Sequence, residues 1–192
     1  MKPKIIAFAG SARNESLNRR LIAFAAATAE KAGAEVDLIH LRDHPLPLFD
    51  QDLEDEQGMP EIGHQLKQRF AAAHGMLIAS PEYNSSFSPV MKNTIDWMSR
   101  SESDDEPACA VFRGKVAGLM AASPGGIGGM RGLFQLRAVL QNIGVIVLPN
   151  MASVGGAMDV LTQDGQISDA SIEKRVVAVV ESLVELTTKV TA

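Results

Sequence analysis

Short apolar runs of strand length recur along this chain, and each is followed by a stretch whose apolar residues repeat every three or four positions. A chain patterned this way buries both periodicities only if its strands share a sheet that helices cover, the α/β solution. Lys4 to Ala9 (KIIAFA) is the first run, and Leu17, Leu21, Phe24 and Thr28 mark the helix behind it. Ala34 to His40 alternates as a less buried strand does. Its helix comes late, with Ile62, Leu66, Phe70 and Ala73 on one face, after a long loop rich in proline and acid. Met76 to Ala79 stops at Ser80-Pro81, and a helix follows from about Pro89 with Met91, Ile95 and Met98 inward; proline suits a first helical turn. Val116 to Ala121 leads through a glycine-rich loop, Ser123 to Gly132, into a helix carrying Leu133, Leu136, Leu140 and Ile143. Val145 to Leu148 is the fifth run, and a helix from near Ser168 carries Ile172, Val176, Val179, Leu183, Leu186 and Val190.

Most of these runs are apolar throughout, the mark of parallel strands covered on both faces. The expected fold is therefore α/β, a doubly wound five-stranded parallel sheet in a three-layer sandwich, formed as one domain over residues 1–192. Two strand orders are common at this length, 3-2-1-4-5 and 2-1-3-4-5. Ligands of such sheets bind outside the carboxyl ends of strands where the order reverses. Here the loops of unusual chemistry follow strands one, three and four, which are mutual neighbours only in the order 2-1-3-4-5, the order expected.

Charge and cysteine content remove several functions. Eighteen Lys and Arg against 23 Asp and Glu give a net charge of -5, the wrong sign for neutralising a nucleic acid backbone. The single Cys109 excludes an internal disulfide and a cysteine-rich zinc site, and points to a reducing compartment, with the cytoplasm as the expected location. No stretch is apolar for the length a membrane helix needs, so no membrane association is expected. The start MKPKIIAFAGSA mimics a signal peptide, but only Ile5 to Ala9 are continuously apolar and a patterned helix follows at once. His40 and His44 flank a loop rather than forming H-E-x-x-H on a helix, so no metal site is expected. Cys109 reads as a packing residue and Glu102 to Glu106 (ESDDE) as a solvated loop.

Loop one reads Gly10-Ser11-Ala12-Arg13-Asn14-Glu15-Ser16-Leu17-Asn18 at a strand-to-helix turn. Outward N–H groups and the helix dipole make such a turn an anion site. The hydroxyls of Ser11 and Ser16, the Asn18 amide and the Arg13 guanidinium add side-chain donors, a set that fits a phosphate monoester. There is neither a Gly-Lys-Ser/Thr of a nucleoside triphosphate loop nor a G-x-G-x-x-G of a dinucleotide fold. The plain alternative makes Ser16 only a helix cap and Arg13 a solvated charge. Loop three, Pro81-Glu82-Tyr83-Asn84-Ser85-Ser86-Phe87-Ser88-Pro89, offers a planar heterocycle a flat wall, the chain's only tyrosine and amide donors. Loop four, Ser123-Pro124-Gly125-Gly126-Ile127-Gly128-Gly129, removes side chains where a ligand or a tight turn brings atoms close to the backbone.

Four motifs stand in order: G-S-x-R-x-x-S-x-N in loop one, P-E-Y-N at Pro81 to Asn84, K-N-x-I-D-W at Lys92 to Trp97, and S-P-G-G at Ser123 to Gly126. Over roughly residues 4–150 they resemble the NADPH-dependent FMN reductase family, whose members include quinone, azo and chromate reductases of flavodoxin-like fold. The resemblance implies FMN with its phosphate among Ser11, Arg13, Ser16, Leu17 and Asn18. It implies a ring lined by Pro81, Glu82, Tyr83 and Asn84, with Ser123, Gly125 and Gly126 closing the other side. NADPH, or NADH, is the implied co-substrate, and a small quinone, azo compound or metal oxyanion the implied acceptor, in ping-pong order. No catalytic side chain is expected, because a flavin carries its own electron sink. One departure is Ser88, which stands where the family commonly has proline, with Pro89 next. Asn93 and Asp96 read as residues that hold the loop, and Trp97 as core or subunit interface. The resemblance also implies a homodimer or homotetramer, with the helix from Pro89 to Met98 and the loop from Gly126 to Gly132 as candidate contacts. Two rivals share the pattern: a flavodoxin-type electron carrier that docks protein partners, and a flavin-free binding module.

Overall fold

The computed structural model describes residues 1–191, so Ala192, the last residue of the expected domain, lies outside the described residues. Strand β1 (Lys4–Ala9) runs parallel between β2 (Glu35–His40) and β3 (Gly75–Ala79), and β3 pairs in parallel with β6 (Val116–Ala122). Beyond β6 lie β7 (Ile146–Val147) and β8 (Ala152–Val154), both parallel to it, which gives a six-stranded sheet in the order β2-β1-β3-β6-β7 with β8 also on β6. A separate antiparallel hairpin joins β4 (Glu82–Tyr83) to β5 (Ser86–Phe87). The sheet thus has one strand more than the five expected. The run Val145 to Leu148 reaches Pro149, which has no N–H to continue a ladder, and the chain rejoins β6 three residues later.

Alternate residues of β1 face opposite layers, as the strand period requires. Ile5, Ala7 and Ala9 meet α1 (Leu17–Lys31) and α7 (Ala170–Val190), whereas Ile6 and Phe8 meet α3 (Glu61–Ala72) and α4 (Pro89–Met98), with α5 (Met130–Asn142) completing that layer. Every residue of β3 and β6 is buried. Short helices α2 (Gln51–Gln57) and α6 (Ala157–Val160) lie in the connections. No periodicity announces α2, because it buries none of its residues.

Two regions read as irregular from sequence are anchored. The segment Glu102 to Glu106 is a solvated loop over Glu102 to Asp105, pinned at its end: Glu106 accepts from the buried Lys67 Nζ at 2.7 Å and from Glu102 N at 2.7 Å, and His64 Nδ1 lies 2.9 Å from Glu102. Burial opposes ionisation of Glu106, but Lys67 and the Glu102 N–H outweigh it and hold the carboxyl below its ordinary range. The long connection after β2 is clamped to α4. Asn93 Oδ1 accepts from Phe49 N at 2.7 Å, while Asn93 Nδ2 and the buried Trp97 Nε1 each donate to Pro47 O at 2.8 Å. Asp96 instead pairs with Lys92 one turn back. No helix among the described residues is long and apolar enough to cross a membrane.

Candidate functional site at the carboxyl ends of β1, β3 and β6

Ala9 is in register with Ala79 and Ala79 with Met120, so loops one, three and four leave the sheet at one level, side by side. Hydrogen bonds lock them together. Gly10 N donates to Ala79 O at 2.9 Å, and Ser80 N to Met120 O at 2.9 Å. Ser88 Oγ donates to Gly10 O at 2.6 Å and accepts from Met91 N at 3.2 Å. The serine that departs from the family pattern thus caps α4 and ties loop three to loop one. Space is tight at Gly10 beneath it, where a Cβ would lie 3.1 Å from both Met91 Cβ and Ser88 Oγ.

In loop one, Ser16 caps α1 by accepting from Arg19 N at 3.3 Å, the plain role weighed for it. That role spares its own N–H. The N–H groups of Ser16, Leu17 and Asn18 meet no acceptor among the described residues, as the first turn of a helix leaves them. Ser11 is buried at the foot of the turn, and the Arg13 guanidinium meets no partner among the described residues. Arg42 and Arg19 donate instead to the carbonyls of Ala12 and Arg13, at 3.0 and 3.4 Å. Asn18 differs from the sequence reading. Its carboxamide donates to Ala122 O and accepts from Ala122 N, both at 2.9 Å, and is 3% exposed, so it fastens α1 to the end of β6.

Loop three is the β4–β5 hairpin, with Tyr83 paired to Ser86 across a two-residue turn. Asn84 and Ser85 both have positive φ, 51° and 67°, the twist that suits a tight hairpin and one that serine adopts at a strain cost. The turn holds Tyr83 half exposed. Glu82 turns inward to α5, where it accepts from Arg131 Nε at 2.8 Å and from Gly132 N at 3.1 Å. Burial works against its ionisation, yet the Arg131 bond, the Gly132 N–H and the Arg131 charge prevail and hold its carboxyl below the ordinary range. Pro81 is half buried at the hairpin's base.

Loop four is braced from below: Ser123 N donates to Val154 O at 3.0 Å, and Ser123 Oγ accepts from Gly125 N at 3.2 Å. Its glycines divide into two kinds. Gly128 and Gly129 have positive φ, and a Cβ on Gly128 would lie 2.7 Å from Gly155 N. Gly155 itself could not bear a Cβ, which would sit 2.3 Å from Gly126 O. Gly125 and Gly126 differ, for their φ angles are not positive and a Cβ would meet only Ser123 Oγ at 3.8 Å, or nothing. Nothing inside the protein asks for glycine there, which leaves close approach from outside as the physical reason.

Sequence reasoning missed Arg131, Arg42, Gly155 and the true partner of Asn18, all of which act across long sequence separations. His40 and His44 do not converge on a point: His44 Nδ1 faces His40 O at 3.1 Å and its Nε2 faces Arg69 at 3.2 Å. Among the described residues no cluster of His, Cys, Asp and Glu could hold a metal.

The fold and these loops define a doubly wound α/β protein with an open helix N-terminus beside a glycine-rich loop. The sequence model of the NADPH-dependent FMN reductases matches residues 3–159. The chain is 33% identical over 148 residues to a 2-hydroxy-1,4-benzoquinone reductase of Burkholderia sp, covering 77% of this chain and 75% of that one. It is 32% identical over 171 residues to a quinone reductase of Escherichia coli K12, covering 88% and 86%. Among solved structures, the flavoenzyme NAD(P)H:(acceptor) oxidoreductase FerB of Paracoccus denitrificans superposes with a TM-score of 0.79 at 26% identity over 97% and 98% of the two chains. The chain belongs to the NADPH-dependent FMN reductase family. It is an FMN-dependent NAD(P)H oxidoreductase.

Proposed function

We propose that this enzyme passes electrons from NADPH, through FMN seated on loops one, three and four, to a small quinone-type oxidant. The observation that carries the reading is the donor set of loop one at a helix N-terminus, where three N–H groups and the Arg13 guanidinium meet no partner among the described residues and Ser11 is buried, beside a loop where Gly125 and Gly126 leave room. These residues fit the group. Ser11, Arg13, Ser16 and the N–H groups of Ser16 to Asn18 would take the phosphate. Pro81, Tyr83, Asn84 and the backbone of Glu82 would line one side of the ring, and Ser123, Gly125 and Gly126 the other. A bound FMN supplies the hydride acceptor and electron sink. The protein's part is to orient the ring and to leave one face open. The Glu82 carboxylate, committed to Arg131 and Gly132, holds α5 against the hairpin as a positioning residue, and Asn18 serves by tying α1 to β6. If β7 and β8 are taken as one interrupted strand and the hairpin is set aside, the order reads 2-1-3-4-5, which puts these loops at the switch point.

Quinone acceptors are named for the Burkholderia and Escherichia relatives, and an open ring face suits them. A net charge of -5 is mild for a carrier that docks protein partners, which favours the enzyme reading over the carrier. The same reading takes residues 1–192 as one domain in the cytoplasm, assembled as a homodimer or homotetramer with the half-exposed Ile127 and Phe134 as candidate contacts. The test is an absorbance titration. Protein loaded with FMN should bleach within seconds on anaerobic NADPH and recover on addition of a quinone, with parallel initial-rate lines. Bound flavin that NADPH fails to bleach would favour a carrier, and absence of flavin binding would overturn the site.

A further inference from the structure

A cavity of about 450 Å³ opens between loop one and loop four, on the side away from the hairpin. Its lining includes Arg13 and Arg20 from the first loop and helix, Pro124 from loop four, and Met158, Leu161 and Gln163 from the segment after β8. Resting on the flavin reading above, we infer that this cavity holds the adenosine end of the nicotinamide nucleotide, and that Arg20 selects its 2′-phosphate.

Three observations support it. First, the cavity is shared by loop one and loop four of the cofactor site, so a dinucleotide whose nicotinamide lies on a ring bounded by loop four can lay its other end here. The volume is in the range that small ligands fill. Second, one of its arginines is held only by an exposed carboxylate. Arg20 Nη2 is held 2.8 Å from Glu15 Oε2, and that glutamate side chain is 81% exposed. A phosphate dianion can displace so exposed a partner and take the guanidinium's paired donors. Third, Met158 is 71% exposed beside Leu161 and Pro124, a large apolar side chain on the surface with no packing reason to be there. Its flexible thioether suits it to lie on a purine face.

The experiment uses the purified protein and two probes that lack nicotinamide, adenosine 2′,5′-bisphosphate and 5′-AMP. Calorimetry should show the bisphosphate binding about ten-fold or more tighter, the worth of a hydrogen bond to a charged group. Arg20→Ala should abolish that difference and raise the KM for NADPH without a matching rise for NADH. Arg20→Lys should restore part of it. Glu15→Gln, which removes the competing carboxylate, should tighten the bisphosphate and provides a second reading if Arg20→Ala fails to fold. Equal affinity for the two probes in the wild-type protein overturns the inference. So does a loss of FMN affinity in Arg20→Ala as large as the loss of bisphosphate, because the cavity would then serve the flavin phosphate. Since both probes bind without flavin, a failure of FMN to bind would show separately, in the flavin titration.

Discussion

Arg13 projects from loop one with no partner among the described residues, while its neighbours Arg19 and Arg42 are engaged with carbonyls. Arg13→Ala should therefore weaken FMN binding by about 1.5–3 kcal/mol, the usual worth of a hydrogen bond to a charged group, with unfolding unchanged. Quenching of flavin fluorescence reads this directly, and unaltered affinity would make Arg13 a solvated loop charge. Glu82 yields a prediction in pH. Its carboxyl is held below the ordinary range in the native state, so its stabilisation is present above the unfolded value of about 4.3 and is lost as pH falls through the lower native value. Glu82→Gln should destabilise the protein at neutral pH, and the deficit should shrink below about pH 4, as seen in urea unfolding at several pH values. At this scale the sequence was readable wherever a function lies within one loop. Ser11, Arg13 and Ser16 stand a few residues apart in one turn, so that the sequence alone puts their donors together. Asn18 was misread because its partner, Ala122, is 104 residues away.

Helix α1 and strand β6 are held together by that same carboxamide. Asn18→Ala leaves the Ala122 N–H and carbonyl buried without partners, which should cost about 1–3 kcal/mol of unfolding free energy. Chemical denaturation reads the cost, and a near-neutral result would mean that water replaces the amide. Most elements were legible at this scale because the apolar period of each is intact over a full strand or several turns. The exceptions have separate causes. Helix α2 buries nothing and so leaves no stripe, and β7 is two residues long because Pro149 ends its ladder. The anchor of the solvated Glu102 to Glu106 loop left no signal because the partner of Glu106, Lys67, is a buried lysine on α3, a residue type rarely found inside.

Over the whole molecule, FMN should act as a ligand of the folded state alone, since the contacts proposed for it come from three loops that only the assembled sheet aligns. At a hundred times its dissociation constant it should add about 2.7 kcal/mol. For a chain of 192 residues that corresponds to a melting temperature higher by about 5–11 °C. A thermal scan with and without FMN measures it, and an unmoved transition would mean that the three loops do not share one ligand. The fold class was readable because alternation of the two periods admits few layer arrangements, and the neighbourhood of the three loops because their chemistry clustered after three runs that pair in the sheet. The brace beneath loop four was not, since it joins the backbone of Ser123 to that of Val154, 31 residues on.

That brace bears on how an enzyme of this kind can vary. Gly126 and Gly155 touch so closely that neither the wall nor the strand end behind it can change shape without the other. The backbone path of this side is therefore fixed, and its shape can change only through side chains added at Gly125 or Gly126. The hairpin opposite offers more freedom, for Tyr83, Asn84 and Ser85 stand on an exposed turn. A library aimed at new acceptors belongs at those three positions, with the glycines left untouched.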